Sequence, residues 1–314
     1  MPERVRVTDV SPRDGLQNEP TTIDTARKLE LVEALCAAGF DEVEVTSFVS
    51  PKWVPQLADA RELLGLVHEF AQGVRTVSAS LPGSHVALPV FSVLVPNEKG
   101  FERALEVHRS GLPLKIALFT AASETFSQRN TNASIAETIE RFRAFLPRAF
   151  EERMPVRLYV SCAVACPFEG PIAADAVARV AHALLNLAPN DEVRWSLDLD
   201  LGDTIGVATT DQIRALLECF DPDLRRRQLT LHLHDTFARA ADCVRAALDM
   251  GVRSFDGSAG GLGGCPYAGT PERRAPGNIA SEVLVRTVHD AGFVTGVDPD
   301  LLADAALLAR AMSR

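Results

Sequence analysis

The stretch Gln228-Leu229-Thr230-Leu231-His232-Leu233-His234-Asp235 is an apolar run that ends in two histidines and an aspartate. In a β-strand, residues two positions apart point to the same side, so His232 and His234 project together from the end of a buried strand. Two imidazoles held side by side form half of a divalent-metal site, which a carboxylate from another strand would complete. Asp14 is the candidate, because it follows the apolar run 5–10. The pattern predicts a metal site at the ends of two strands.

Seven further apolar runs of strand length alternate with segments that have helical periodicity. Besides 229–234, strands are expected at 5–10, 42–48, 90–95, 115–120, 156–160, 193–199 and 254–258. Helices are expected at 25–38, 55–69, 101–109, 135–152, 173–187, 210–220, 238–250, 279–291 and 299–312. The less regular segment 72–88 is expected to be a long connection. Eight strands alternating with helices predict an α/β fold, a (β/α)8 TIM barrel, as one catalytic domain over 1–314 with additional C-terminal helices at about 279–314.

The composition bounds the class of protein. The chain has 314 residues, 46% of them hydrophobic, and a formal net charge of -10, which argues against nucleic-acid or membrane-surface binding through bulk charge. No apolar run reaches the roughly 18 residues expected of a membrane span. Six cysteines without regular pairing suit a reduced cytoplasmic protein better than a disulfide framework. Apolar helical surface in the C-terminal segment favours a homo-oligomer, either a dimer or a larger assembly.

In a TIM barrel, catalytic groups lie at the carboxyl ends of the strands. Polar residues interrupt or follow the predicted strands at these ends: Arg13, Asp14, Glu44, Ser47, Asn97, Ser161, Asp200, Asp203, His232 and His234. They come from distant parts of the chain, yet all belong to one face of the expected barrel. The sequence therefore predicts that these side chains converge on one site.

Each candidate also has a plain structural explanation. A His-x-His pair often serves packing alone, but Asp14 at a matching strand end favours metal binding, for which Mg²⁺, Mn²⁺, Co²⁺ or Zn²⁺ all suit the ligands. The lack of thiolate partners argues against a structural zinc site. Arg13 is either half of a surface ion pair or a fork that polarises a carbonyl or holds an enolate oxygen. Glu44 is either a buried scaffold residue or an orienting or proton-handling carboxylate.

The glycine-rich segment 260–264 directly precedes Cys265. One interpretation is a simple turn after the eighth strand. The other is a mobile loop at the catalytic face, whose cysteine delivers a proton or closes over a substrate. The residue pattern alone leaves both open.

Over residues 5–296 the chain resembles the 3-hydroxy-3-methylglutaryl-CoA lyase family, which belongs to a group of metal-dependent lyases and Claisen synthases on TIM barrels. The segments that carry the resemblance are 11–19 (SPRDGLQNE), 46–56 (TSFVSPKWVPQ), 96–101 (PNEKGF), 159–162 (YVSC), 201–206 (LGDTIG), 261–267 (GLGGCPY) and 277–278 (GN). The glycine loop ending in Cys-Pro-Tyr is specific to the lyase branch. The Arg-Asp-Gly and His-x-His segments are shared with the synthases.

The resemblance implies an activity and a set of site residues. The activity is cleavage of 3-hydroxy-3-methylglutaryl-CoA, an acyl-CoA thioester, to acetyl-CoA and acetoacetate, a step of leucine degradation and ketone-body formation. The divalent cation is expected to be Mg²⁺ or Mn²⁺, with Co²⁺ or Zn²⁺ as alternatives. The implied metal ligands are Asp14, His232, His234 and Asn278. The implied catalytic residues are Arg13, Glu44, His232, Cys265 and Asp203, and the expected cofactor-binding residues are Asn97 and Lys99.

The chemistry of such a cleavage suits these residue types. The cation would chelate the tertiary hydroxyl and a carboxylate oxygen of the substrate, which lowers the pKa of the hydroxyl. Cleavage then moves negative charge onto the thioester oxygen, which Arg13 is placed to stabilise. His232 is expected to move the hydroxyl proton, and Cys265 to help protonate the acetyl-CoA enolate.

Three departures from the family pattern keep other substrates open. The connection 268–276 is longer than usual, Asp200 replaces a serine and is expected to add negative charge near the acyl group, and Pro20 replaces a lysine near the expected entrance. A related 3-hydroxy-3-substituted glutaryl-CoA is therefore an alternative substrate. Two further alternatives are a Claisen-condensing synthase and a non-catalytic metal-binding protein, although the intact residue set argues against the latter.

Overall fold

Eight parallel strands close into a barrel in the computed structural model, which describes residues 2–80, 87–264 and 277–313. The barrel strands are β1 (Arg6–Asp9), β2 (Glu42–Ser47), β3 (Val90–Leu94), β4 (Leu114–Ala121), β5 (Val156–Ser161), β8 (Asp198–Asp203), β9 (Leu229–Leu233) and β10 (Ser254–Gly257). Each pairs with the next barrel strand along the chain, and β1 pairs with β10. A short antiparallel pair, β6 (Ala165–Cys166) and β7 (Gly170–Pro171), lies outside the barrel. The predicted TIM barrel is confirmed.

Helices surround the barrel. They are α1 (Thr25–Ala38), α2 (Ala60–Ser80), α3 (Glu98–Arg109), α4 (Glu124–Thr131), α5 (Ile135–Arg143), α6 (Leu146–Glu151), α7 (Ala174–Leu185), α8 (Asp191–Ser196), α9 (Thr210–Glu218), α10 (Pro222–Arg227), α11 (Ala240–Asp249), α12 (Ser281–Asp290) and α13 (Pro299–Met312). The last two lie in the expected C-terminal region, where α13 packs against α1. None of the described helices has the length and apolar character that a membrane crossing needs.

Two expectations about local structure were wrong, and two helices were not expected. The predicted strand 193–199 is mostly helix α8, because Asn190 caps the segment by accepting the backbone N–H of Val193, and the strand begins only at Asp198. Helix α2 continues through much of the expected connection 72–88, and it begins at Ala60 after a separate 3₁₀ turn at Pro55–Leu57. Helices α4 and α10 were not predicted, although Ser123 and Asp221 cap their first turns.

Charged residues fill the inside of the barrel below the catalytic face. Lys115 on β4 lies 2.5 Å from Glu42 on β2 and 2.6 Å from Asp198 on β8. Arg157 on β5 donates hydrogen bonds to Asp256 on β10 and to Thr8 on β1. These contacts join strands that are not neighbours in the sheet, so the side chains meet across the barrel interior. TIM-barrel interiors usually consist of branched apolar side chains, and this one is largely ionic.

Candidate active site

The chain leaves β1 through a single π-helical turn, Ser11–Gly15, which brings Arg13 and Asp14 over the end of the barrel. Asp9 anchors this turn, since its carboxylate accepts the backbone N–H of Ser11 at 2.8 Å and that of Ala259 at 2.9 Å. The hydroxyl of Ser281 donates to the same carboxylate. Burial raises the pKa of Asp9 to about 6 despite these donors. The anchor therefore ties the Arg13 turn to the segment after β10.

Asp14, His232 and His234 form a compact group of possible metal ligands. Their ligand atoms all lie within 4.8 Å of one another, and the Nε2 atoms of the two histidines are 3.2 Å apart. Asn278 donates from Nδ2 to Oδ2 of Asp14 at 2.7 Å and pairs with His234 through the backbone. The structure thus brings together the four residues that the resemblance implied as ligands.

A divalent cation fits this donor set. His234 Nδ1 and Asn278 Oδ1 are buried and have no hydrogen-bond partner among the described residues. Burial, reinforced by His232, lowers the pKa of His234 to about 4, so this imidazole is neutral and able to act as a ligand. Burial also opposes ionisation of Asp14, but Arg13 and the two histidines outweigh it and lower the pKa of Asp14 to about 2. One carboxylate oxygen, two imidazole nitrogens and an amide oxygen suit Mg²⁺, Mn²⁺, Co²⁺ or Zn²⁺.

Arg13 is fixed on two sides by carboxylates. Its Nε donates to Glu44 Oε2 at 2.6 Å, its Nη2 lies 2.5 Å from the same oxygen, and its Nη1 donates to Asp14 Oδ1 at 2.7 Å. Burial opposes the charge on Arg13, but Glu44 and Asp14 raise its pKa above the ordinary value. Glu44 is fully buried. Its contacts with Arg13 are compatible with the orienting role expected from the sequence, and that role stays a prediction.

Behind the histidines lies a group that the sequence did not single out. His232 Nδ1 is 3.2 Å from Asp256 Oδ2, and Asp256 also accepts from Arg157 Nη1 at 2.8 Å and from the Tyr159 hydroxyl at 3.3 Å. A carboxylate behind a ligand histidine fixes the orientation of its ring and selects which nitrogen faces the metal. The signal in the sequence was a charged residue at an inward position of each short strand, Arg157 in β5 and Asp256 in β10.

A cavity of about 330 Å³ opens above this group. Its polar lining residues include Arg13, Asp14, His232 and His234. Its apolar lining residues include Val49, Leu94, Phe119, Phe126 and Val160. Trp53 also lines the cavity, and its side chain is 76% exposed. Such a cavity can hold an extended ligand that carries both oxygen donors and apolar groups.

The remaining predicted site residues lie elsewhere or outside the described residues. Asn97 caps α3 by accepting the Gly100 N–H, Lys99 is exposed, and neither lines the cavity. Asp203 accepts the backbone N–H groups of Val207 and Ala208, so it closes the loop after β8. Cys265 and the longer connection 268–276 fall outside the described residues, although Gly264 lines the cavity.

Asp200 does not lie where the sequence placed it. The expected position was near the acyl group, but the residue is fully buried inside the barrel beside Arg157 and does not line the cavity. The reason is the boundary of β8, which begins at Asp198, so Asp200 lies within the strand and not after it. Pro20 is exposed, as expected for a residue near an entrance.

Comparison with known proteins gives consistent results. The family model described as HMGL-like matches residues 4–308. A Pseudomonas aeruginosa protein named 3-hydroxy-3-isohexenylglutaryl-CoA/hydroxy-methylglutaryl-CoA lyase is 43% identical over 305 residues, which cover 97% of this chain and 91% of that protein. The crystal structure of the HMG-CoA lyase from Brucella melitensis superposes with a TM-score of 0.84 at 40% identity and covers 98% of both chains. An HMG-CoA lyase from Acinetobacter baumannii in complex with coenzyme A and 3-methylmalate has a TM-score of 0.80 at 31% identity, over 99% of this chain and 91% of that chain.

Proposed function

The chain belongs to the HMGL-like family, and from this membership we propose that it cleaves 3-hydroxy-3-methylglutaryl-CoA to acetyl-CoA and acetoacetate. The observation that carries the proposal is the placement of Arg13 between Glu44 and Asp14, beside a group of ligand residues at the floor of one cavity. Similarity to HMG-CoA lyases along nearly the whole chain supports the same reaction. The reaction is the one expected from the sequence.

In this retro-Claisen cleavage, the tertiary hydroxyl loses a proton, the bond to the thioester-bearing carbon breaks, and acetoacetate leaves with the new ketone. The electron pair moves onto the thioester oxygen, where the Arg13 fork, oriented by Glu44, stabilises the enolate. Protonation of the enolate carbon then gives acetyl-CoA. We assign this last proton to Cys265, as the family resemblance implies.

A divalent cation held by Asp14, His232, His234 and Asn278 would polarise the substrate oxygens, and Mg²⁺ or Mn²⁺ is our first choice. Because Asp256 occupies Nδ1 of His232, only Nε2 of that ring is left for a cation or a proton. The two roles that the sequence assigned to His232 are therefore alternatives at any one moment. Asp256 keeps the ring oriented in either case.

A second candidate substrate is a glutaryl-CoA with a larger apolar group in place of the 3-methyl group. The apolar residues that line the cavity, among them Phe119, Phe126 and Val160, support this candidate because such a group needs apolar surface to contact. The Pseudomonas aeruginosa relative is named for both substrates. The two candidate substrates differ in the length of the group that carbon 3 carries.

A coupled assay of acetyl-CoA release tests both candidates. The panel contains 3-hydroxyglutaryl-CoA thioesters with a hydrogen, methyl or isohexenyl group at carbon 3. We expect turnover with the methyl compound, loss of activity after exhaustive chelation, and recovery with Mg²⁺ or Mn²⁺. Turnover of the isohexenyl compound alone would assign the second function. Release of CoA from acetyl-CoA and a 2-oxo acid, without cleavage of any panel member, would identify a synthase.

The partner and compartment are further proposals. We propose a homo-oligomer, since α13 leaves Leu301 and Leu307 exposed, Leu307 to 63%. We propose the cytoplasm as the compartment, a view supported by Cys36, Cys166, Cys219 and Cys243, which form no disulfide among the described residues. The acyl-CoA substrate remains the expected small-molecule partner.

A further inference from the structure

Asp200 is a buried carboxyl group that the reaction does not use. It lies on β8 inside the barrel, and neither of its oxygens has a hydrogen-bond donor among the described residues. Its nearest cation is Arg157, whose Nη1 is 3.5 Å from Asp200 Oδ2. That same nitrogen donates to Asp256 Oδ1 at 2.8 Å. Two buried carboxyl groups therefore face one guanidinium nitrogen, and Asp256 has the closer contact.

Because both carboxyl groups lie beside the same Arg157 nitrogen, they are close neighbours inside the barrel. Two ionised carboxylates that share a single cation repel each other strongly inside a protein, which favours a state in which one of them is protonated. Asp256 accepts from Arg157 and Tyr159 and faces Nδ1 of His232, which favours its ionised form. Asp200 has no such donors and is the group that holds the proton.

We propose that Asp200 is a positioning residue, a neutral carboxylic acid that donates its proton to Asp256 and acts on His232 through it. In this state Asp256 accepts from Asp200, Arg157 and Tyr159 while it holds the His232 ring. Burial and the Asp256 charge hold the pKa of Asp200 well above its ordinary value. For Asp256, Arg157 and His232 outweigh burial and lower the pKa.

The proton on Asp200 matters for His232 because ionisation of Asp200 would place a second carboxylate charge beside Arg157. Arg157 would then interact with two carboxylates. Asp256 would lose Asp200 as a hydrogen-bond donor, and its own interaction with Arg157 would weaken. The titratable groups that face Asp200 are Arg157 and Tyr159 from β5, Asp256 from β10 and Glu44 from β2. The adjacent residue on β9 is Thr230, which does not titrate. We therefore expect the orientation of His232 to weaken at alkaline pH.

The test compares Asp200→Asn with the wild type and with a matched control, Asp198→Asn, on the same strand. Asparagine is isosteric, uncharged and keeps an N–H donor for Asp256. We expect Asp200→Asn to keep kcat/KM within about twofold near neutral pH, since a neutral donor is retained. At alkaline pH the wild type should lose activity while Asp200→Asn keeps it. Asp198→Asn, which removes an ion-pair partner of Lys115, should lower the unfolding midpoint.

Infrared difference spectroscopy measures the protonation state without any turnover. The wild type should show the carbonyl band of a protonated carboxyl group that Asp200→Asn lacks. A spectrum without that difference, or a loss of stability in Asp200→Asn equal to that of Asp198→Asn, would mean that Asp200 is an ionised partner of Arg157. Asp200→Ser, which also keeps a donor, is the second variant if asparagine prevents folding. The kinetic measurements rest on the proposed lyase function. The spectroscopic and stability measurements do not, so they test the protonation of Asp200 even if the lyase proposal is wrong.

Discussion

Arg13 is the residue on which the proposed chemistry depends most, because Glu44 and Asp14 hold its guanidinium in place before substrate arrives. Arg13→Gln removes the charged donor for the enolate oxygen and leaves the ligand residues unchanged. We expect kcat to fall by about 10² to 10³, which corresponds to about 3–4 kcal/mol of transition-state stabilisation. Arg13→Lys should not restore the full rate, because a point charge does not reproduce the fork. Steady-state kinetics at saturating cation measure both.

Arg4→Gln is a suitable control for Arg13, since Arg4 forms an exposed ion pair with Asp41 on the surface. Its kinetics should match those of the wild type. If Arg13→Gln raised KM at constant kcat, Arg13 would be a substrate-binding residue and the enolate role would be wrong.

The two histidines should differ in how they compete with protons for the cation. His234 has a pKa of about 4 because of burial, and is neutral across the neutral range. For His232, burial opposes protonation, but its contact with Asp256 and the charge of Asp14 outweigh it and raise the pKa above 6.5. Cation affinity should therefore rise with pH as His232 gives up its proton, and cation binding should release up to one proton. Calorimetry in buffers of different ionisation enthalpy counts that proton.

The variant Asp256→Asn provides the comparison for this measurement. It removes the carboxylate that stabilises the proton on His232, so proton release near neutral pH should disappear. Release of two protons by the wild type would instead mean that His234 is also protonated before the cation binds.

The site residues that the sequence predicted best are those carried by short local patterns. His232 and His234 share a strand, and Arg13 and Asp14 are neighbours, so their convergence follows from the barrel alone. Asp256 and Arg157 were missed because their partners are distant in the chain, and no local spacing reveals a contact across the barrel. The position of Asp200 was misjudged for a different reason, since β8 runs from Asp198 to Asp203 and Asp200 therefore lies within the strand.

At the scale of single elements, the loop after β8 deserves a direct test because it decides what Asp203 does. Asp203 accepts two backbone N–H groups of its own loop, and Gly206 of that loop lies against the backbone of His234. Asp203→Asn replaces one acceptor oxygen by a donor, which should cost about 1–3 kcal/mol and loosen the loop. We expect stability and cation affinity to fall together, as measured by urea unfolding and cation titration. A loss of kcat with stability unchanged would show that Asp203 acts on the substrate directly.

Element boundaries were harder to predict than element types. Eight strands and most helices were expected in the right order, because hydrophobic periodicity reports on burial. The segment around residue 195 was misassigned since its Val, Arg, Trp and Ser suit either state, and the deciding feature was the Asn190 cap. Helix α2 was ended too early, although Phe70, Ala71, Val74 and Val77 continue its helical spacing beyond Glu69.

At the scale of the whole molecule, stability should be sensitive to the loss of one partner from the ion pairs inside the barrel. Lys115 contacts both Glu42 and Asp198, and Lys115 and Glu42 are buried while Asp198 is partly buried. Lys115→Ala would leave two carboxylates without their shared cation, so we expect a loss of about 3–5 kcal/mol. Arg157 and Arg6 lie too far from these carboxylates, at 3.7–3.8 Å, to replace the short contacts of Lys115. Urea unfolding at neutral pH measures the loss.

Arg109→Ala is the control for Lys115→Ala, because Arg109 makes an exposed ion pair with Glu152 and its removal should change little. The effect of Lys115→Ala should also shrink in acid. Lys115 and Arg157 outweigh burial and lower the pKa of Asp198, so this carboxylate contributes stability above its ordinary pKa and loses it as pH falls through the lowered value. A loss independent of pH would assign the effect to packing.

The ionic interior of the barrel also has a consequence for the response of the fold to temperature. Exposure of apolar surface raises the heat capacity of unfolding by about 0.45 cal/K/mol per Å², whereas exposure of polar surface lowers it by about 0.26. Unfolding this barrel exposes Lys115, Arg157 and their carboxylate partners, where an ordinary barrel would expose branched aliphatic side chains. The heat-capacity change of unfolding per residue is consequently smaller, and the curve of stability against temperature is broader and flatter. Cooling therefore weakens this fold less than it weakens a barrel with an apolar interior.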